Sequence, residues 1–385
     1  MSDYPYFRLQ CVVFMLVSAS FTNIYITQPV LPVLKSEFSA DMVLVSFTVS
    51  AVILGIAISN LPFGFLVDRL PIHPIIFTGG VLVALGGLVS AASYDLWVLI
   101  GARFFQGIFI PALTTCLAAY LAKTLPTARL NVVMGSYVSA TVLGGLGGRL
   151  LGGWIHPPLH WRYAFVSASA LIFIATFTAL WGLPRTSVET GQQRNSIGFL
   201  LLIKRWELLR IYFCAMGSFA IFSSVFNYLP FRLTAPPFNF STELTTLFYV
   251  VYIVGIFMGP IAGNISNRFG SGNTLLGGST FLGISLALIL LPSICAVVLG
   301  LLGICAGFFT VHAAAVGSLN RRLSSSQGRA NALYVLFYYL GGWLGITCTG
   351  FAFKQEGWNA VVYICAFLLL IPLGAGIGER KSNSP

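Results

Sequence analysis

The 385-residue chain is 57% hydrophobic and 8% charged, with a formal net charge of +11 and a mean hydropathy of +0.88. A soluble surface needs roughly 25% charged residues, so this composition excludes a soluble protein of two or three domains. The positive surplus lies in short loops rather than on one soluble face, which argues against a nucleic-acid partner.

Runs of about 20 apolar residues are long enough to cross a ~30 Å hydrocarbon core as helices. In chain order they predict twelve transmembrane helices, over 9–34, 43–66, 75–93, 96–121, 130–154, 163–183, 209–231, 244–263, 274–292, 295–319, 330–353 and 358–378. The first run, with Arg8 ahead of it and Ser18-Ala19-Ser20 inside it, could pass for a secretory signal. It is kept as a helix because 209–231 repeats it. Residues 184–208 form the one long polar connection. Its second half interleaves Phe199, Leu200, Leu201, Leu202, Trp206, Leu208 and Leu209 with Lys204, Arg205 and Arg210, which predicts a short amphipathic helix on the inner membrane face.

The two halves repeat. Ala128-Arg129-Leu130-Asn131 is answered by Gly328-Arg329-Ala330-Asn331, Gly55 by Gly255, Gly107 by Gly307 and Trp161 by Trp358. The expected architecture is therefore an all-α membrane protein of two pseudo-symmetric six-helix bundles, 1–183 and 209–385, joined by the cytoplasmic linker 184–208. With the N-terminus inside, most Lys and Arg face the cytoplasm and only Lys35, Arg162, Arg232 and Lys354 fall in outer loops, which puts both termini in the cytoplasm. The seven cysteines have no metal-type spacing and read as small packing residues. No cofactor or metal is expected. No paired catalytic carboxylates or nucleophile constellation stands out, so an enzyme is not expected either.

Twelve helices, a duplicated six-helix unit and a long middle loop resemble the major facilitator superfamily. Three motifs carry the resemblance: Gly64-Phe-Leu-Val-Asp68-Arg69 after the second helix, Arg103-Phe-Phe-Gln106-Gly107 in the fourth, and the glycine run Gly144 to Gly153 in the fifth. The first has a faded copy from Gly263 through Asn267-Arg268 to Gly270. Pro71 and His73-Pro74 depart from the family's loop pattern, and Arg149 interrupts the glycine run. Tyr25-Ile-Thr-Gln28-Pro29, Phe226-Asn227-Tyr228, Gly307-Phe-Phe-Thr-Val-His312 and Tyr338-Tyr339-Leu-Gly341 resemble the bacterial YnfM-like group of drug and metabolite exporters. The resemblance spans essentially the whole chain. It implies a multi-pass monomer of the bacterial inner (plasma) membrane whose partners are the lipid bilayer, a small molecule and protons.

Two readings stand for Arg103, which lies inside the fourth helix. A buried charge is costly unless it is paired or faces a wet cavity, so it either faces a central cavity or is satisfied by backbone carbonyls. The same choice applies to Arg149. His312, read as the only histidine inside a helix run, is either a proton-coupling residue or a neutral core group. Gln106, Asn23, Gln28, Asn227, Tyr228 and Tyr338 complete the expected substrate and proton-coupling set. A conformational gate is assigned to Gly64, Asp68, Arg69, Asn267, Arg268, Arg129 and Arg329. Asp68 is expected to cap the start of the eleventh helix near Gln327.

None of the acids falls in the middle of a helix, while two arginines do. That balance favours a neutral, zwitterionic or anionic substrate, because an Arg cannot release its proton. The leading reading is a secondary transporter exporting a small organic molecule by alternating access with proton coupling. The alternative is a transporter or importer of an organic anion bound by Arg103 and Arg149. A minor alternative is a non-transporting membrane sensor.

Overall fold

A computed structural model describes residues 6–184, 198–323 and 326–382, and every regular element among them is a helix. This is what a hydrocarbon solvent dictates, since each backbone N–H and C=O must be satisfied within its own segment. The segments are α1 (Tyr6–Glu37), α2 (Met42–Leu66), α3 (Ile72–Ala92), α4 (Leu96–Thr124), α5 (Thr127–Ile155), α6 (Trp161–Gly182), α7 (Trp206–Thr234), α8 (Thr242–Phe269), α9 (Ser271–Leu288), α10 (Ile294–Arg321), α11 (Gln327–Glu356) and α12 (Trp358–Lys381). Ten of them are long and apolar enough to cross a membrane; the other two, α5 and α9, are rich in Gly, Ser and Thr. The polar stretch 185–197 of the expected linker lies outside the described residues. The amphipathic stretch that follows it is a six-residue helix, Phe199–Lys204, and α7 begins two residues later.

Four segments are interrupted. α1 leaves helical geometry after Tyr25 and passes through a 3-10 turn at Gln28–Val30 before resuming at Leu31. Pro29 has no N–H to return to the preceding turn, so the helix cannot run through it. α4 breaks at Thr114, three residues after Pro111, and α12 at Leu369, three before Pro372. α8 carries a 3-10 stretch at Phe248–Ile253. His73 falls in the first turn of α3, so His312 is not the only helical histidine, as the sequence had implied.

The chain divides into two compact units, Met1–Ser39 with Ala51–Gln192, and Ala40–Ser50 with Gln193–Pro385. The opening of α2 therefore clusters with the second unit. In the first unit α1 lies along α5, and α3 packs on α4 and α6. The α1–α5 seam is main chain against main chain: a Cβ added at Gly144, Gly148 or Gly152 would run into the backbone of Ser18, Thr22 or Ile26. Small residues allow such approach where helix association gains nothing from hydrophobic exclusion. Thr22 Oγ1 adds a bond across the seam to the Gly144 carbonyl at 3.2 Å.

The second unit repeats the device. α7 lies along α11, where a Cβ at Gly341 or Gly345 would meet the backbone of Met216 or Ala220. Other members of the sequence echo have diverged in use. A Cβ at Gly55 would sit 2.6 Å from the Phe104 carbonyl of α4, whereas at Gly255 it would strike the ring of Phe309. Trp161 donates its indole N–H to Glu37, and Trp358 donates to the Ile289 carbonyl at 2.9 Å.

Candidate functional site

The expected site residues fall into separate groups within the two units. Two groups flank the break in α1. Arg103 of α4 is fully buried. Its Nη1 donates to Gln106 Oε1 at 2.5 Å and its Nη2 to the Ile24 carbonyl at 2.7 Å. The second bond has a local cause: interrupting the helix leaves carbonyls such as that of Ile24 without a main-chain donor. Gln106 in turn donates to the Val83 carbonyl at 2.9 Å and reaches Asn23 Oδ1 at 3.4 Å, and Asn23 donates to the carbonyls of Ala19 and Ala168. Asn23, Arg103 and Gln106 thus tie α1, α3, α4 and α6 together.

Arg149 of α5 holds the other side of the break. Its Nε donates to Gln28 Oε1 at 2.6 Å, its Nη1 donates to the Gly145 carbonyl at 2.7 Å, and the guanidinium lies 4.0 Å over the Tyr25 ring. Both arginines are therefore engaged by the chain. Such bonding offsets much of the cost of burying each charge.

Asn227 and Tyr228 sit on α7, fully buried. Asn227 Nδ2 donates to Ser46 Oγ of α2 at 3.1 Å, while its Oδ1 has no hydrogen-bond donor. The Tyr228 hydroxyl donates to the Ile346 carbonyl at 2.9 Å and its ring stacks on Phe353, 5.4 Å between centroids. Ser46 carried no motif in the sequence, so this partner was invisible there.

His312 of α10 stands in an aromatic cluster within the second unit. Its Nδ1 is 2.9 Å from the Tyr334 hydroxyl of α11. The hydroxyl donates when Nδ1 is bare and accepts when Nδ1 carries the proton, so the contact survives either tautomer. Around it Tyr338 lies flat on Phe219, 3.7 Å between centroids at 13°, and Phe222 on Phe308, 4.0 Å at 20°. His312 and Tyr338 keep accessible surface, while Tyr334, Phe219, Phe222 and Phe308 are buried. Phe219, Phe222 and Phe226 recur at helical spacing along this face of α7, and partners on α10 and α11 complete the cluster.

The residues assigned to a gate are placed as follows. Asp68 is exposed and paired with Lys123 of α4 at 2.5 Å, within its own unit. Arg69 is exposed, and Gly64 has open space where a Cβ would be. Arg268 stacks on its neighbour Phe269 in the last turn of α8, which also holds Asn267. Arg129 lies 4.0 Å over Tyr6 at the start of α1, and Arg329 lies 5.7 Å over Phe199 just ahead of α7. The repeated segment therefore does the same thing in each half: its arginine covers an aromatic ring at the entrance to the half's first long segment.

Two acid hubs were missed in the sequence. Glu379 looks like a tail residue beside Arg380; it lies near the end of α12, outside the middle of the segment, and yet is 1% exposed. It accepts from Arg210 at 2.8 Å, Arg322 at 2.9 Å and the Ser318 hydroxyl. Glu37, at the end of α1, accepts from Arg162 at 2.5 Å and from the Trp161 indole. Both are long-range pairings that no local spacing announces.

The model of the Major Facilitator Superfamily matches residues 13–320. The chain is 28% identical to the uncharacterized MFS-type transporter YybF of Bacillus subtilis (strain 168), over 92% of this chain and 89% of that protein. It is also 28% identical to the inner membrane transport protein YnfM of Escherichia coli (strain K12), over 96% of this chain and 90% of that protein. Among solved structures it resembles a bacterial homologue of the human lysosomal transporter Spinster, with a TM-score of 0.78 at 13% identity, covering 97% of this chain and 96% of that one.

Proposed function

The chain belongs to the Major Facilitator Superfamily, and is thus a multi-pass membrane transporter rather than an enzyme; on that premise we propose that it exports a small, partly planar organic molecule by alternating access, driven by protons. One observation carries the reading: His312, with Tyr338 beside it, keeps accessible surface within a cluster of flat aromatic faces. Such faces favour planar and apolar ligands. Imidazole is the side chain whose ordinary charge change falls near neutral pH, so the same group serves as proton carrier and ligand contact. Among the described residues no Asp or Glu occupies the middle of a segment, which favours neutral, zwitterionic or anionic cargo over cations.

The organic-anion reading, with Arg103 and Arg149 as ligands, gains less support. Both guanidiniums are buried and bonded to Gln106, Ile24, Gln28 and Gly145. The proposed setting is the bacterial inner membrane, with both termini in the cytoplasm.

Flux into proteoliposomes under an imposed pH gradient tests the proposal, using a panel of planar heteroaromatic and phenolic metabolites. The gradient should drive accumulation of some members, and His312→Ala should abolish gradient-driven accumulation while leaving counterflow. If the gradient changes the accumulation of no compound, proton-coupled export fails. If His312→Ala leaves the gradient response intact, the proton path runs elsewhere.

A further inference from the structure

The six-residue helix Phe199–Lys204 has two unlike faces. Leu202 is fully buried against the second unit, where the helix touches the starts of α7 and α11. Arg329 at the start of α11 lies 5.7 Å over Phe199 and holds its other end. Away from these contacts the segment presents Leu200, Leu201 and Trp206, exposed to 66%, 60% and 66%. Lys204 and Arg205 stand between these apolar groups and are themselves exposed. Arg205 reaches Glu207 only at 3.8 Å, and Arg322 bonds the same carboxylate at 3.2 Å.

We propose that this face binds anionic phospholipid headgroups, with Leu200, Leu201 and Trp206 sunk into the upper acyl region and Lys204 and Arg205 on the phosphates. Four observations converge on a lipid rather than a protein partner. The helix packs on two membrane-spanning segments, α7, which starts two residues after it, and α11, whose first turn carries Arg329, so its free face lies at the level where headgroups lie. A tryptophan at that level is the side chain with an apolar body and a polar N–H suited to the interface. The two cations directly adjoin the apolar trio, an arrangement that pairs acyl burial with attraction to negative headgroups. Glu207, the acid paired with Arg205, is shared with Arg322, so among the described residues the charge of this face is positive.

The cationic pair adds a headgroup preference that apolar contact alone cannot give. Each juxtamembrane cation is worth on the order of a fivefold preference for an anionic surface, and the attraction is screened by salt. Phosphatidylglycerol should therefore be retained over phosphatidylcholine.

The full-length protein, purified in mixed micelles of equal phosphatidylglycerol and phosphatidylcholine, is examined by native mass spectrometry of the lipids that stay bound. The wild type should retain phosphatidylglycerol in excess, and the K204Q/R205Q variant should lose about tenfold or more of that excess. A K35Q control, altering an exposed lysine at the end of α1, should keep it. L200S/L201S should lower retention of both lipids while keeping the headgroup preference. Raising NaCl from 0.1 to 0.5 M should weaken the wild-type preference with no mutation at all. An excess unchanged in K204Q/R205Q and indifferent to salt overturns the proposal, as does equal retention of both lipids by the wild type.

Discussion

Arg149 and Thr349 are counterparts in the two halves and close the same local bond. Arg149 Nη1 donates to the Gly145 carbonyl and Thr349 Oγ1 to the Gly345 carbonyl, both at 2.7 Å. The arginine adds a reach across to Gln28. Arg149→Thr therefore keeps the turn-to-turn bond and removes the long-range bond to Gln28 together with the contact on the Tyr25 ring. Leaving Gln28 buried without its donor should cost about 1–3 kcal/mol, read by SDS unfolding in mixed micelles. Gln28→Ala in the same background should add little, because both changes delete one interaction. Glu379 is a sterner case. Glu379→Ala takes the buried carboxylate from Arg210 and Arg322 and leaves Arg322 the exposed Glu207, and should destabilise by roughly 3 kcal/mol, whereas substitution at exposed Asp68 should cost at most about 1 kcal/mol. At this scale the sequence disclosed residue types but not partners. Arg103 stood out because a charge inside an apolar run is costly wherever it goes. Glu379 did not, because a carboxylate near a chain end looks solvated until three distant side chains are found around it.

At the scale of elements, hydropathy located the segments within a few residues, since only helices satisfy the backbone in a bilayer. It could not see their interruptions. The run 9–34 was continuous in hydropathy, yet α1 breaks at Ile26–Thr27, and Pro29, Arg103 and Arg149 each have a share in that break. The glycine run of α5 stood out in the sequence, and the structure shows which glycines of this helix are packed closely. Gly148 faces the Thr22 backbone, but Gly135 faces open space. Gly148→Val should sharply reduce the yield and thermal stability of folded protein, and Gly135→Val should leave both near wild type. Similar losses from the two would mean that the α1–α5 seam is not where α5 is held.

For the molecule as a whole, the sequence echo pairs the two halves residue by residue, and the solution each half found is where they differ. Trp161 and Trp358 both start a sixth segment, yet one bonds a carboxylate and the other a carbonyl. Repetition is visible in residues, whereas the partner each copy takes lies 124 positions away for Trp161 and 69 for Trp358. The proposed orientation is directly testable. In intact cells a membrane-impermeant amine reagent should modify Lys35 and Lys354, and should reach Lys123 and Lys204 only after permeabilisation. Labelling of Lys123 before permeabilisation would reverse the topology.

The α1–α5 and α7–α11 seams have a mechanical meaning. Side chains that interlock resist motion in every direction, because a knob must leave its hole before a helix can shift. Where glycine puts backbone on backbone, few side chains stand in the way of a shift along the axis, and the resistance passes to the bonds that cross the seam. Thr22 to Gly144 in one unit and Tyr228 to Ile346 in the other are such bonds, register pins that an axial shear would have to release.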